Sequence, residues 1–476
     1  MALQYDQPTT AADLTANLTA NPSISASTIA AISSLLHLDA ADTTVNVAAY
    51  NAVTGVVDGQ DGVTPDVVTI STEAAATFAV NEFAVAAAAV ATPQVAVNLT
   101  PVADASVFVF ESDDGVTATL NTVAGSDKII VGGNGNDTIT ATGDANVTLD
   151  GGDGNDVLTT GAGNDTVSGG AGNNFISTGA GNDTIITGTG NNTIDAGTGY
   201  DTVQFAGARD DFQVSQSGTT LILNGDDQTI NVTNAEFLTF TDHTLAVTNN
   251  EDDAAVLRLY EGLLGRDADA GGAEFYTTAH ANGVSSATLA DAFVNSAEYK
   301  DIVVDNYLDS LYNNLLGSTT GADQEGQDFW SNAVANGQTL AQVTASIAAS
   351  ADDQGQTITD TAFVQSLYEA ALGRQADTAG EDFWVNALSN GSSREDIASG
   401  IITSSEATDH ANVEFVNNLY TNALGRDNDA NDVGGKAFWL TALANGVSES
   451  QVAIDITGSP DAQAHITNVV VVTGSV

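Results

Sequence analysis

Between residues 132 and 204, large apolar side chains recur in one slot of a nine-residue unit. GGNGNDTIT at 132–140 is followed by a ten-residue unit at 141–150. Six further nonapeptides then begin at 151, 160, 169, 178, 187 and 196: GGDGNDVLT, TGAGNDTVS, GGAGNNFIS, TGAGNDTII, TGTGNNTID and AGTGYDTVQ. The apolar slot holds Ile139, Leu158, Val167, Ile176, Ile185, Ile194 and Val203. Each unit combines a Gly-rich turn with a strand of about three residues, whose apolar side chain in this slot points inward. Two units make one coil. Units two apart therefore stack as parallel strands ~4.8 Å apart, the signature of a solenoid.

The pattern changes on both sides of this block. Residues 205–248 alternate apolar and polar positions between Gly and Asn turns, in DFQVSQSGTTLILNGDDQTINVTN and EFLTFTDHTLAVT. This predicts antiparallel strands, placed to cap the roll. From 251 the apolar period becomes helical. RLYEGLLGRDAD at 258 returns as SLYNNLLGSTTG at 310, SLYEAALGRQAD at 366 and NLYTNALGRDND at 418. Each copy continues with an aromatic pair and an Asn-Gly, then a third segment. The Gly after LL or AL and the Asn-Gly read as helix C-caps, and Ser285, Ser392 and Ser448 as N-caps of the third helix. The expected organisation is a multidomain β + α protein. It has a β-rich region at 1–125, a parallel β-roll at 126–204, a β cap at 205–250, four units of about three helices at 251–462 and a tail at 463–476. Within the first region, TIAAISSLLHL at 28–38 reads as a helix, and runs such as ATFAVNEFAVA and QVAVNLT read as strands.

Charge sharpens this picture. The chain has 62 Asp and Glu against 9 Lys and Arg, a formal net charge of −53. Such a field repels nucleic acid and anionic membranes and attracts cations. There is no cysteine, which excludes disulfides and thiolate metal sites. The N-terminus carries neither the basic nor the apolar stretch of a Sec-type signal peptide, and the longest apolar run, FAVAAAAVA at 83–91, is too short to span a bilayer.

The nonapeptide turns offer these cations a home. Ca²⁺ takes six to eight hard oxygen ligands. Glycines bend each turn so that main-chain carbonyls are presented, and the sixth position adds a carboxylate. The turn glycines are Gly133, Gly135, Gly152, Gly154, Gly161, Gly163, Gly170, Gly172, Gly179, Gly181, Gly188, Gly190, Gly197 and Gly199. Stacking puts Asp165, Asp183 and Asp201 on one side, and Asp137, Asp156, Asn174 and Asn192 on the other. The first row is expected to make two sites with a carboxylate from each turn. Asp137/Asp156 is a third pair, provided the ten-residue unit keeps its register. Asn174/Asn192, without a carboxylate, is expected to be weakest. About three to five Ca²⁺ are expected in all.

In the helical half, Trp330, Trp384 and Trp439 occupy one repeat position and read as repeated core rather than a ligand platform. Arg266, Arg374 and Arg426 read as ion pairs or helix caps. Asp267/Asp269 and Asp427/Asp429 open like an EF-hand loop, but Thr278 and Phe438 stand where its closing glutamate belongs. The five His are scattered, and no H-E-x-x-H, G-x-S-x-G or P-loop motif occurs. The chain is therefore not expected to be an enzyme.

Residues 132–204 resemble the repeats of the RTX (repeats-in-toxin) family. The LY..LLGR..D..G..FW....NG units resemble a helical domain of unknown function found in bacterial RTX and S-layer-like proteins. Asn174 and Asn192 in the Asp slot, and Ser318 in place of Arg, depart from those patterns. The resemblance implies export by a type I secretion system through an uncleaved C-terminal signal, with which the tail HITNVVVVTGSV is compatible. It also implies a chain that is unfolded at low cytosolic calcium and folds on binding Ca²⁺ outside. The expected function is a secreted, calcium-dependent structural protein of the cell surface, self-assembling into an S-layer, sheath or extracellular filament. Valine-rich strands such as Gln94–Leu99 and Asn468–Val472 are available to pair with neighbours. The alternative is an adhesin or biofilm-matrix protein that binds a surface glycan.

Overall fold

A computed structural model of the protein describes residues 9–20, 24–39, 43–51, 56–58, 63–71, 95–99, 103–111, 114–353, 357–426 and 432–472. The expected strand at 76–86 and Asp427/Asp429 lie outside them. The chain forms two compact units, one of residues 1–249 with 470–476, the other of residues 250–469.

The first unit is a parallel β-solenoid walled by two sheets. One sheet runs, in spatial order, through Thr193–Asp195, Phe175–Ser177, Val157–Thr159, Thr138–Gly143, Val116–Thr122 and Val95–Asn98. The other runs through Thr202–Gln204, Thr184–Ile186, Thr166–Ser168, Val147–Asp150, Lys128–Val131, Val107–Glu111, Val67–Ser71 and Val47–Asn51. Units two apart stack as expected, with Leu158 opposite Ile176 and Ile176 opposite Ile194. On the other wall Val167 lies opposite Ile185 and Ile185 opposite Val203. All seven predicted inward side chains are buried in one continuous core. The ten-residue unit keeps the register, because Ile139 still faces Leu158 and Leu149 faces Val167.

The walls continue without a break into the N-terminal region, through the strands at 107–111, 67–71 and 47–51. These strands are apolar on both faces. Val68, Ile70, Phe108, Phe110 and Ile130 face the solenoid core. Val67, Val107, Val109, Ile129 and Val131 face outward and are covered by helices Ala11–Ala20 and Ala26–Leu35 through Leu14, Leu18 and Ile32. The second helix is pinned where the regular repeats begin. Asp150 Oδ2 accepts the Ser25 N–H at 3.0 Å and the Thr28 hydroxyl at 2.8 Å.

At the other end, Gln213–Ser217, Thr220–Asn224 and Thr229–Thr233 form an antiparallel meander whose last strand runs parallel to Thr193–Asp195. Phe237–Thr239 continues the second wall and turns back as Thr244–Thr248. The tail strand Val469–Val471 closes that sheet, with the Val472 N–H donating to Thr248 O at 2.7 Å.

The second unit contains four repeats of three helical segments. The first segments are Leu259–Leu264, Ala297–Leu316, Asp360–Leu372 and Ser405–Asn422, and they pack in sequence. The last returns to the first, which closes the set. Gly262 sits at that closure, where a methyl would lie 3.1 Å from Thr457 Cγ2 and 3.4 Å from Ala423 Cβ. Gly265, Gly317 and Gly373 end their helices in the left-handed region. The expected N-cap at Ser392 falls instead on Ser393, whose hydroxyl accepts the Asp396 N–H at 3.1 Å. There Asp396 also bonds back to the Ser393 N–H, which completes a capping box.

Candidate calcium sites of the roll

Each turn hands a hydrogen bond to the coil beside it. Asp165 Oδ1 accepts the Val147 N–H at 2.8 Å, Asp183 Oδ1 the Asp165 N–H at 2.7 Å, and Asp201 Oδ1 the Asp183 N–H at 2.8 Å. The opposite side repeats the pattern. Val116 N–H donates to Asp137, Asp137 to Asp156, Asp156 to Asn174 and Asn174 to Asn192, at 2.8–2.9 Å. The sixth-position side chains are thus two in-register rows, the grouping that the spacing predicted. All seven are buried, at 2% exposure or less.

The second side-chain atom separates Asp from Asn. Oδ2 of Asp137, Asp156, Asp165, Asp183 and Asp201 is buried and has no hydrogen-bond donor. In the Asn slots the amide closes on the turn's own carbonyl. Asn174 Nδ2 donates to Gly169 O at 2.8 Å and Asn192 Nδ2 to Thr187 O at 2.9 Å. An Asn turn is therefore satisfied by itself, whereas an Asp turn holds an oxygen that lacks a positive partner.

Burial governs the protonation of these carboxylates. It pushes Asp137 up to about 8, Asp156 and Asp201 to about 7, and Asp165 to about 6, against main-chain N–H donors, and at Asp165 first the Thr160 hydroxyl, which pull the other way. Asp183 rises for the same reason. In each row, stacked carboxylates that resist ionisation without a cation suit binding one.

The glycines shape the space around them. A methyl on Gly132 would stand 2.5 Å from Gly151 O and 2.6 Å from Asp137 Oδ2. On Gly151 it would stand 2.6 Å from Asp156 Oδ2 and 3.1 Å from Gly169 O. The open cradle thus brings a carboxylate oxygen and the next coil's carbonyl together. On the other side Thr160 and Thr178 take this position, and their hydroxyls donate to Thr178 O at 3.0 Å and Ala196 O at 2.7 Å. The two rows are therefore built differently, although their Asp slots look alike in sequence. Most predicted turn glycines have positive φ; Gly161 and Gly163 do not, and close approach to Gly143 O and Ala145 O excludes a side chain there instead. Among the described residues no three carboxylate or imidazole side chains converge on one point. The donor set is one carboxylate per turn plus main-chain carbonyls, which suits Ca²⁺ and not a transition metal.

Sequence reasoning missed Glu236, which lies in the cap. Its Oε2 accepts the Asp201 N–H at 2.9 Å, and burial pushes its carboxyl up to about 7. No nonapeptide spacing reaches it.

The candidates in the helical unit resolve into structure. Trp330 and Trp384 donate Nε1–H to the hydroxyls of Tyr312 and Tyr368 at 2.9 and 3.2 Å, within the partly buried core. Arg266 makes a two-point pair with Glu298 at 2.6 and 3.0 Å, Arg374 pairs with Glu406, and Arg426 pairs with Asp432 and Asp461. Asp269 is an N-cap, accepting the Gly272 N–H at 2.8 Å, and Asp323 and Asp377 cap the next two repeats in the same way. Their conserved spacing within the chain is that of helix starts, not of a metal loop.

Two family models match. The RTX calcium-binding nonapeptide repeat (4 copies) matches residues 124–148, 131–167, 148–176 and 168–203. The domain of unknown function DUF4214 matches residues 234–303, 349–411 and 406–466. Residues 304–348, most of the second helical repeat and including Ser318, fall outside these matches, but the repeat has the same three-segment form. No curated protein matches the chain. Among the described residues no helix is long and apolar enough to cross a membrane. The roll at 124–203 is an array of RTX calcium-binding nonapeptide repeats, which points to a secreted protein, and the helical unit that follows carries the domain DUF4214.

Proposed function

We propose that this is a secreted, non-enzymatic structural protein of the bacterial surface, exported by a type I system and assembled with copies of itself into an S-layer, sheath or filament. In this reading Asp137, Asp156, Asp165, Asp183 and Asp201, with turn carbonyls, hold Ca²⁺. Each ion neutralises an otherwise orphaned carboxylate and couples folding of the roll to the calcium outside the cell. The observation that carries the reading is the set of five buried Asp oxygens without a hydrogen-bond partner, in two stacked rows, inside a chain composed largely of repeats. Sheet ends support assembly: among the described residues, Val95–Asn98 and Gln213–Ser217 are the outer strands of one wall, and an outer strand offers main-chain groups to a neighbour.

A second reading, an adhesin or matrix protein, draws on a different feature. Phe275, Phe329, Phe383 and Phe438 hold one repeat position and are each 62–64% exposed. Exposed rings on an acidic helical scaffold suit stacking against a surface glycan. Electron microscopy of the full chain at 5 mM Ca²⁺ and in chelator separates the two. Regular sheets or fibres that vanish with chelator support assembly. Dispersed single particles under both conditions sink it and favour the adhesin.

A further inference from the structure

The last aspartate of the carboxylate-rich side, Asp201, has no nonapeptide after it. Every earlier Asp on that side is held by the next turn's side chain, Asp165 by Asp183 and Asp183 by Asp201. Past the roll this role passes to Glu236, 35 residues further on, whose Oε2 accepts the Asp201 N–H at 2.9 Å. The join is tightened by main-chain bonds from Glu236 N and Phe237 N to Asp201 O, at 3.2 and 3.0 Å. Leu238 then stacks on Val203 as another repeat would.

Holding one N–H does not require a charge. Asn174 and Asn192 accept the same bond with neutral amides and satisfy their second atom locally. At the join the acceptor is instead a second acid, Glu236, close enough to the Asp201 carboxylate for the two charges to repel. Asp201 is 0% exposed, and its Oδ2 has no donor. Two acids brought together, one with a buried and unpartnered oxygen, are stable with a cation between them and costly without one.

We propose that Asp201 and Glu236 form an additional calcium site at the join between the last nonapeptide turn and the strand cap, with Glu236 standing where the next repeat's aspartate would be. The site takes a hard divalent cation and ties the metal-dependent roll to the cap. It depends on the roll binding calcium and is independent of whether the protein assembles or adheres.

Tyr200 provides a reporter, because it directly precedes Asp201 and lies against Phe237 with ring centroids 6.5 Å apart. The full chain is titrated with Tb³⁺ under tyrosine excitation, and with Ca²⁺ by calorimetry, as wild type, Y200F and E236Q. The glutamine keeps the acceptor for the Asp201 N–H and removes the charge. Wild type should give sensitised emission that Ca²⁺ displaces, and Y200F should lose at least half of it. E236Q should bind one Ca²⁺ fewer at 1 mM, or bind one at least tenfold more weakly, with unchanged circular dichroism at 10 mM Ca²⁺. Equal stoichiometry and affinity in E236Q would overturn the proposal. Should E236Q fail to fold, wild-type emission unchanged in Y200F would overturn it equally. Loss of all calcium binding in the wild type would instead remove the nonapeptide sites themselves, a distinguishable failure.

Discussion

Replacing Asp156 with Asn is expected to stabilise the calcium-free fold by more than the loss of one ion costs the calcium-bound fold. Asp156 Oδ1 accepts the Asp137 N–H, and Oδ2 is buried without a donor beside Gly151. Asn174, on the same side and beside Gly169, shows what an amide does there: it keeps the acceptor and donates Nδ2–H to the glycine carbonyl at 2.8 Å. The Asp156 carboxyl rises from 3.8 to about 7, so ionising it in the calcium-free fold at pH 8 costs on the order of 4 kcal/mol, at about 1.4 kcal/mol per tenfold change. D156N removes that cost and adds one hydrogen bond of about 1 kcal/mol. It also gives up the stabilisation from one ion. At 10 mM Ca²⁺ and a Kd of ~10⁻⁴–10⁻³ M this is about 1.4–2.7 kcal/mol. The variant should therefore show more β signal than wild type in chelator at pH 8 and reach its folded plateau at a calcium midpoint at least threefold lower. It should bind one ion fewer. Far-ultraviolet circular dichroism during calcium titration, with calorimetric counting of bound ions, reads all three. A D156N protein that needs more calcium than wild type to fold would refute the reasoning.

Further outcomes follow from the same geometry. The raised Asp carboxyls mean that the calcium-free fold retains protons the unfolded chain releases. Their contribution is complete below about pH 4 and is lost as pH rises through about 6 to 8, so β signal in chelator should be larger at pH 5 than at pH 8; a flat or opposite dependence contradicts this. Gly172 has φ of +126° and its added methyl would meet Gly154 O at 1.7 Å, so Gly172→Ala should cost about 3 kcal/mol or more in urea unfolding of the calcium-loaded protein. In the helical unit, Trp384→Phe removes the bond to Tyr368 and part of the packing on Gly400, and should cost about 1–2 kcal/mol. Its exposed neighbour Phe383→Ala should stay within about 0.5 kcal/mol, and urea unfolding of both variants reads the difference.

The roll was legible because one slot in nine carries the core. A fixed period states both which residue points inward and which coil it touches, as Leu158, Ile176 and Ile194 do. The N-terminal coils have no such period. Paired residues there are 20 apart at Ala48 and Val68 but 22 apart at Phe108 and Ile130, so loops of varying length hide the stacking. Their second apolar face, covered by the helices at 11–20 and 26–35, also breaks the alternation expected of a half-solvated wall. In the helical repeats the period located the aromatic pair and marked its Trp as core, but did not say where the neighbouring Phe faces. Trp384 does pack on the core, and only the packing shows that Phe383 faces solvent. The Asp rows followed from spacing, whereas the Thr160 and Thr178 hydroxyls, which set one side apart from the other, needed coordinates. Glu236 gave no sequence signal because its partner lies across a hairpin.

The central claim, that calcium folds the roll by satisfying its buried carboxylates, is tested most directly by hydrogen exchange on the full chain at pH 7.5, with 5 mM Ca²⁺ and with chelator. The account predicts that amides of residues 132–204 are protected with calcium and exchange at least tenfold faster in chelator. The helices between 251 and 465 should keep their protection in both. Equal protection of residues 132–204 under the two conditions would contradict it.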